Sequence, residues 1–253
     1  MNQQDRKKKT AYTGKAKKTA IKQEKIANKR WSSYVLSALL IITAAIFFQA
    51  IKFDFLTTWD DNFYVTENPD IKALTWSNIQ LLFTKSYMNM YQPLTMVLYA
   101  FEYQLGGGNA AIFHFVNVLF HVLNTWLVYV FIKKITKGNQ VVALFTAAFF
   151  GVHPMHVESV AWISETKDVL YSFFFLLSLI TYHNYLKDNK IKHLIWACML
   201  FLLSSMSKSA AVILPLVMLL MDYYTGRKFS MKMLVEKIPF FIISLVFGLI
   251  SLK

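Results

Sequence analysis

The chain has 253 residues, 56% hydrophobic and 16% aromatic, with a formal net charge of +13. Eleven Lys and Arg against Asp5 and Glu24 put most of that charge in residues 1–30, and the rest is interrupted by uncharged apolar runs that a water-soluble domain does not carry. Composition therefore excludes a soluble basic protein, and the single cysteine, Cys198, excludes an internal disulfide and gives no basis for redox chemistry.

Residues 1–30 have too little apolar surface to fold alone, and we read them as a disordered cytoplasmic tail. Such a tail before a membrane span is an orientation signal, not a nucleic-acid arm. Tyr34–Ile51 is an 18-residue uncharged run. It lacks a small-residue cleavage site, so we expect an uncleaved span over 32–51. Loop 52–90 carries Lys52, Lys72 and Lys85 against Asp54, Asp60, Asp61, Glu67 and Asp70, and its acidic balance places it outside. Asp60 and Asp61 open it. Two adjacent carboxylates at a membrane face can hold a divalent cation, one can serve as a base, or both can belong to a solvated acidic loop. Further on, Trp76, Ile79, Leu82 and Phe83 share one helical face, which predicts a short helix on the membrane surface. Tyr91–Leu105 is apolar but carries Pro93 and Glu102, which suits an interfacial or re-entrant segment.

The next span is expected over 110–132. His114, Asn117, His121 and Asn124 lie on one face of it, within about 80° at ~100° per residue. A polar stripe on a membrane helix faces protein, either as hydrogen-bonding glue between helices or as the lining of a cavity. Lys133, Lys134 and Lys137 mark the inner loop that follows. A short span over 140–152 returns outward to an acidic segment over 153–168. There His153 and His156 with Glu158 have the residue types of a metal site, while the two histidines with Lys167 suit a phosphate. A helix start at Pro154 explains the same pattern without either ligand. Val169–Leu186 returns, giving a span over 169–186, and basic loops over 187–193 and 222–237 require the intervening stretch to begin and end inside. Two short spans, 193–207 and 209–224, turning at Lys208, satisfy that requirement. Lys208 is placed either to meet a phosphate or to snorkel to the interface. A last run, 238–253, ends without a tail, so we expect a longer parent protein or a minimal version of one. The reading is an all-α membrane bundle of about seven spans over 31–253, with the N-terminus cytoplasmic. No Walker loop, Rossmann glycine pattern or nucleophile elbow appears.

Several stretches together resemble a known family. They are Trp59-Asp60-Asp61, Asn68-Pro69 and Tyr91-Gln92-Pro93-Leu94-Thr95, then the His114/Asn117/His121/Asn124 stripe. His153-Pro154-Met155-His156-Val157-Glu158-Ser159-Val160-Ala161-Trp162 follows, with Lys167-Asp168-Val169-Leu170, Ser207-Lys208, Leu214-Pro215-Leu216 and Asp222-Tyr223. In order and spacing they resemble the membrane half of the transmembrane-and-TPR-containing O-mannosyltransferases and their bacterial relatives, of the C-type glycosyltransferase superfamily. That resemblance implies a polytopic enzyme moving a mannose-like hexose from a polyprenyl-phosphate carrier to a hydroxyl of a protein or glycan acceptor, with inversion, on the non-cytoplasmic face. It implies Asp60 or Asp61 as catalytic residue, with His153, His156, Glu158, Lys167, Lys208, His114 and Asn117 around the substrate. No cofactor is required, although the two aspartates are the candidates for a divalent cation. Relatives commonly read Glu-Arg-Lys-Asp where this chain has Glu165-Thr166-Lys167-Asp168, and they usually continue into a TPR array. A transporter, flippase or binding subunit for lipid-linked sugars, or an inactive fragment, is the alternative.

Overall fold

The computed structural model describes residues 30–252; the tail expected over 1–30 falls, apart from Arg30, outside the described residues, as does Lys253. The all-helical membrane bundle expected from the sequence is what the structure shows. Among the described residues there is no strand, only an isolated bridge between Tyr87 and Met90.

The first helix, α1 (Arg30–Lys52), is apolar and long enough to cross a bilayer. Two compact units divide the chain, one ending at Leu39 and the other beginning at Leu40. Loop one then folds into short pieces: a π-helix over Asn62–Thr66, a 3-10 turn over Pro69–Ile71, and α2 (Trp76–Thr84). Asn68 and Thr75 cap the last two by accepting from the Asp70 and Asn78 amides, which supplies acceptors for otherwise orphaned N–H groups. Asp70 is the loop's anchor. Its carboxylate accepts from Lys85 Nζ (2.6 Å) and the Tyr87 hydroxyl (2.8 Å). Burial works against the charge, but these two donors hold the Asp70 carboxyl below its usual pKa. A tight turn follows with Met88 and Asn89 both left-handed (φ 51° and 59°), as a turn of the hairpin type requires.

Helix α3 (Pro93–Gly106) starts on Pro93 and ends on Gly107, whose φ of 59° suits the left-handed cap. It buries Met96, Tyr99 and Ala100 against Tyr64, Val65, Ile71 and Leu82 of loop one and Phe113 and Ile163 beyond. Loop one is thus packed as a small folded body, each large apolar side chain in it contributing ~1.5–3 kcal/mol where burial is from water.

Helix α4 (Ala110–Ile135) is capped by Asn109, and α5 (Gln140–Val152) by Asn139. After α5 the chain bends by 50° into Pro154–Ala161, which contains α6 (Val157–Ala161). The break begins at Gly151, where a Cβ would lie 2.7 Å from Thr43 Oγ1 and 2.9 Å from Thr125 Cγ2; only glycine permits that approach. Helix α7 (Thr166–Asp188) pairs most extensively with α8 (Ile191–Ser207) and also lies on α4. The chain breaks at Lys208, turns through a 3-10 segment over Ser209–Ile213, and continues as α9 (Leu214–Tyr224). Helices α10 (Met231–Val235) and α11 (Ile238–Ile250) close the described chain.

Among the described residues four helices are long and apolar enough to cross a membrane, and five if the bent α5 segment counts as one span. The two apolar helices meeting at Lys208 are shorter. The Tyr224 end of α9 is tied to α7 and to the start of α11 by a buried ionic knot. Asp222 receives the Tyr182 hydroxyl (2.7 Å) and pairs with Lys237, itself 0% exposed, while Arg227 bridges to Glu236 (2.7 Å).

Candidate active site

The two adjacent aspartates have different environments. Asp61 is buried, and its carboxylate accepts three protein hydrogen bonds. Oδ2 takes the Leu56 amide (2.8 Å); Oδ1 takes the Ser164 amide (3.0 Å) and the Ser164 hydroxyl (2.5 Å). Those bonds staple loop one to the second acidic segment. Asp60 is half-buried, and its carboxylate has no hydrogen-bond partner among the described residues. It lies beside Tyr64. Burial first, then the Asp60 charge, push the Tyr64 phenol up to about 12, against a pull from Gln92 and with a smaller push from Glu165.

Ser164 also fixes the first lysine. Lys167, only 2% exposed, donates to the Ser164 carbonyl (3.0 Å), pairs with Glu165 Oε1 (2.9 Å) and lies 5.3 Å from the centre of the Tyr64 ring. A buried ammonium is tolerated when paired and hydrogen-bonded in this way, and little of it remains for a ligand. Lys208 differs. Its ammonium reaches Glu165 Oε2 (3.3 Å) and Asp168 Oδ1, yet its side chain is 27% exposed. It lines an open cleft of about 510 Å³ together with Met88, Met90, Tyr91, Gln92 and Val212. Burial alone would lower the Lys208 pKa, but Asp168 and Glu165 raise it above its ordinary value. Asp60, Tyr64, Glu165, Lys208 and Asp168 thus form a run of electrostatic neighbours, with Lys167 joining Tyr64 to Glu165.

The second half of Asp168 faces elsewhere. Its Oδ2 accepts from Ser159 Oγ (3.0 Å), and Asp168 lines a separate polar cavity of about 110 Å³ between α4 and α7. His156 lines this cavity. His153 does not; its Nδ1 accepts from the Met155 amide (3.2 Å) and caps the Pro154 turn, its ring 6.4 Å from that of His156. Among the described residues no hydrogen bond joins either histidine to Lys167, and Lys167 does not line the cavity that His156 lines. Glu158 is exposed, with no charged or hydrogen-bonding side-chain partner among the described residues. Among those residues no three His, Cys, Asp or Glu side chains come together as a metal-ligand set.

The α4 stripe is spent largely on backbone. Asn117 Nδ2 donates to the Trp162 carbonyl (3.2 Å), and its Oδ1 accepts from Thr166 Oγ1 (2.6 Å). His121 Nε2–H donates to the Gly151 carbonyl (3.0 Å), and Asn124 Nδ2 to the Val169 carbonyl (2.8 Å). His114 packs edge-on to Phe53 at 6.1 Å, its ring nitrogens buried without a hydrogen-bond partner among the described residues. The stripe therefore positions the 151–169 segment, and through it Ser164 and Asp61. Sequence reasoning did not nominate Ser164, Glu165 or Asp168. The signal available was the Glu165/Lys167/Asp168 alternation, which puts opposite charges one to two residues apart at a helix start, where they can pair.

Comparison with known proteins agrees with this architecture. Residues 92–252 match the family described as dolichyl-phosphate-mannose-protein mannosyltransferase. The chain is similar to human protein O-mannosyl-transferase TMTC1 (31% identical, 49% of this chain and 15% of that protein). It is similar also to human TMTC2 (33%, 54% and 17%) and human TMTC4 (29%, 60% and 23%). The chain thus spans between 15% and 23% of the length of these relatives. No solved structure matches it. With well over half of its residues inside the family match, the chain belongs to the dolichyl-phosphate-mannose-protein mannosyltransferase family.

Proposed function

We propose that the chain is the membrane catalytic part of an inverting glycosyltransferase, moving a mannose-like hexose from a polyprenyl-phosphate carrier to a hydroxyl of a protein or glycan. The observation that carries this is Lys208, a partly exposed ammonium held by two carboxylates at the edge of a 510 Å³ cleft, with the unengaged Asp60 carboxylate further along the same run of residues. In this reading Asp60 takes the acceptor hydroxyl proton as the oxygen attacks the anomeric carbon. The bond from that carbon to the phosphate oxygen breaks, and Lys208 stabilises the departing phosphate. Asp61, whose carboxylate accepts three protein donors, positions loop one, and no step is assigned to a metal.

We place residues 1–30 in the cytoplasm as a tail and 31–253 as the membrane domain, of about seven spans. Loop 52–90, the Pro154–Asp168 segment and Lys208 then share the non-cytoplasmic face of a plasma membrane. The sign of the loop charges supports that orientation. The transporter, flippase or binding-subunit alternative draws on the α4 stripe as a path, but Asn117, His121 and Asn124 already serve backbone carbonyls. The test is transfer of labelled hexose from a polyprenyl-phosphate hexose by the chain in lipid. Transfer by the parent and none by folded Asp60→Asn supports the enzyme; equal transfer by both refutes the assignment of the base.

A further inference from the structure

The 110 Å³ cavity beside Asp168 has a lining that the proposed mechanism leaves unused. It contains Asn124, His156, Ser159, Asp168 and Ser172, with Phe150 and Tyr171 as aromatic walls. Asn124 is 1% exposed, and its Oδ1 is buried without a hydrogen-bond partner, although its Nδ2 is fixed on the Val169 carbonyl. A buried acceptor without a partner, on a residue that lines a polar recess, calls for a donor. At ~30 Å³ per water, the space holds about four waters, the size of one hydroxyl-bearing edge of a sugar ring.

Charge narrows the occupant. Asp168 is already paired with Lys208 through one oxygen and takes the Ser159 hydroxyl on the other, so a cation entering here finds no unpaired counter-charge. A phosphate would meet the Asp168 carboxylate. A neutral polyol meets neither difficulty, and its hydroxyls both donate and accept, as the lining requires. The aromatic walls supply apolar surface for ring carbons. Asp168 also joins this cavity to Lys208 and so to the apolar cleft on the other side.

We infer that this cavity is the sugar-reading subsite, taking hydroxyls of the carrier-linked hexose at Asn124, Ser172 and His156, while the larger cleft takes the lipid side of the same donor. The inference rests on the proposed donor class. It makes Asn124 and Ser172 specificity-determining residues, with no part in proton transfer.

The test measures binding of two probes to the full chain in lipid nanodiscs: a polyprenyl-phosphate hexose and the same polyprenyl phosphate without sugar. The parent should prefer the sugar-bearing probe by about tenfold, the worth of one to two net hydrogen bonds. Asn124→Leu and Ser172→Ala should bring that preference toward unity and leave affinity for the sugar-free probe unchanged. Ser172→Ala keeps the Asn124–Val169 bond, so it decides the matter if Asn124→Leu does not fold. A parent that binds both probes equally, or a folded Ser172→Ala with parental preference, overturns the sugar subsite while leaving the carrier reading standing. A parent that binds neither probe overturns both.

Discussion

Replacing the two adjacent aspartates one at a time separates their assigned roles. In Asp61→Asn the side-chain oxygen still accepts from the Ser164 amide and hydroxyl, but without charge, at roughly half the strength. The new amide meets the Leu56 N–H, donor against donor, so the bond at 2.8 Å is lost. Hydrogen bonds to a charged group are worth ~1.5–3 kcal/mol; one lost and two halved put the total cost at about 3–6 kcal/mol. For a domain of this size that is a fall of roughly 6–24 °C in Tm. Asp60→Asn removes no such bond and should stay within ~0.5 kcal/mol of the parent. Its transfer rate should instead fall by ~10²–10⁴, the contribution of a general base. Thermal unfolding of detergent-solubilised protein, read beside transfer in proteoliposomes, gives both numbers. An inactive Asp61→Asn of parental stability, together with an active Asp60→Asn, would refute the reasoning and exchange the two roles.

Three further outcomes are expected. Lys208→Met should lower transfer by ~10²–10³, comparable to removing one donor from a charge-stabilising site, with Lys208→Arg recovering part of the rate; steady-state transfer measures it. Because donors hold the Asp70 carboxyl below its unfolded pKa, its contribution to loop stability is present above about pH 4 and disappears as pH falls through the folded value; Asp70→Asn should flatten that acid limb of a melting-temperature profile. Gly151→Ala sets a methyl against Thr43 and Thr125 and should destabilise by ~1–3 kcal/mol, with Thr125→Ser relieving part of the loss in a double-mutant cycle.

The sequence made much of this legible, for identifiable physical reasons. Uncharged runs reveal spans because hydrocarbon tolerates few charges, and the angular clustering of Asn117, His121 and Asn124 reveals a protein-facing stripe. What the stripe touches was not legible, since its partners are backbone carbonyls 30 to 45 residues away. Asp60 and Asp61 are indistinguishable as neighbours in sequence. The Leu56 amide and Ser164, the latter 103 residues distant, tell them apart. Lys167 and Lys208 look equivalent as lone cations near apolar runs, whereas packing buries one under Tyr64 and leaves the other at a cleft.

The way α4 spends its polar side chains has a consequence for assembly. The Gly151 carbonyl lies at the end of α5, before the bend, while the Trp162 and Val169 carbonyls lie beyond it, at the approach to α7 and in its first turn. One helix thus holds both sides of a 50° bend, and the bend keeps its angle only with α4 in place. Loss of Asn117 or Asn124 is expected to loosen the corner bearing Ser164 and Asp168, and to lower the yield of folded protein before any effect on chemistry.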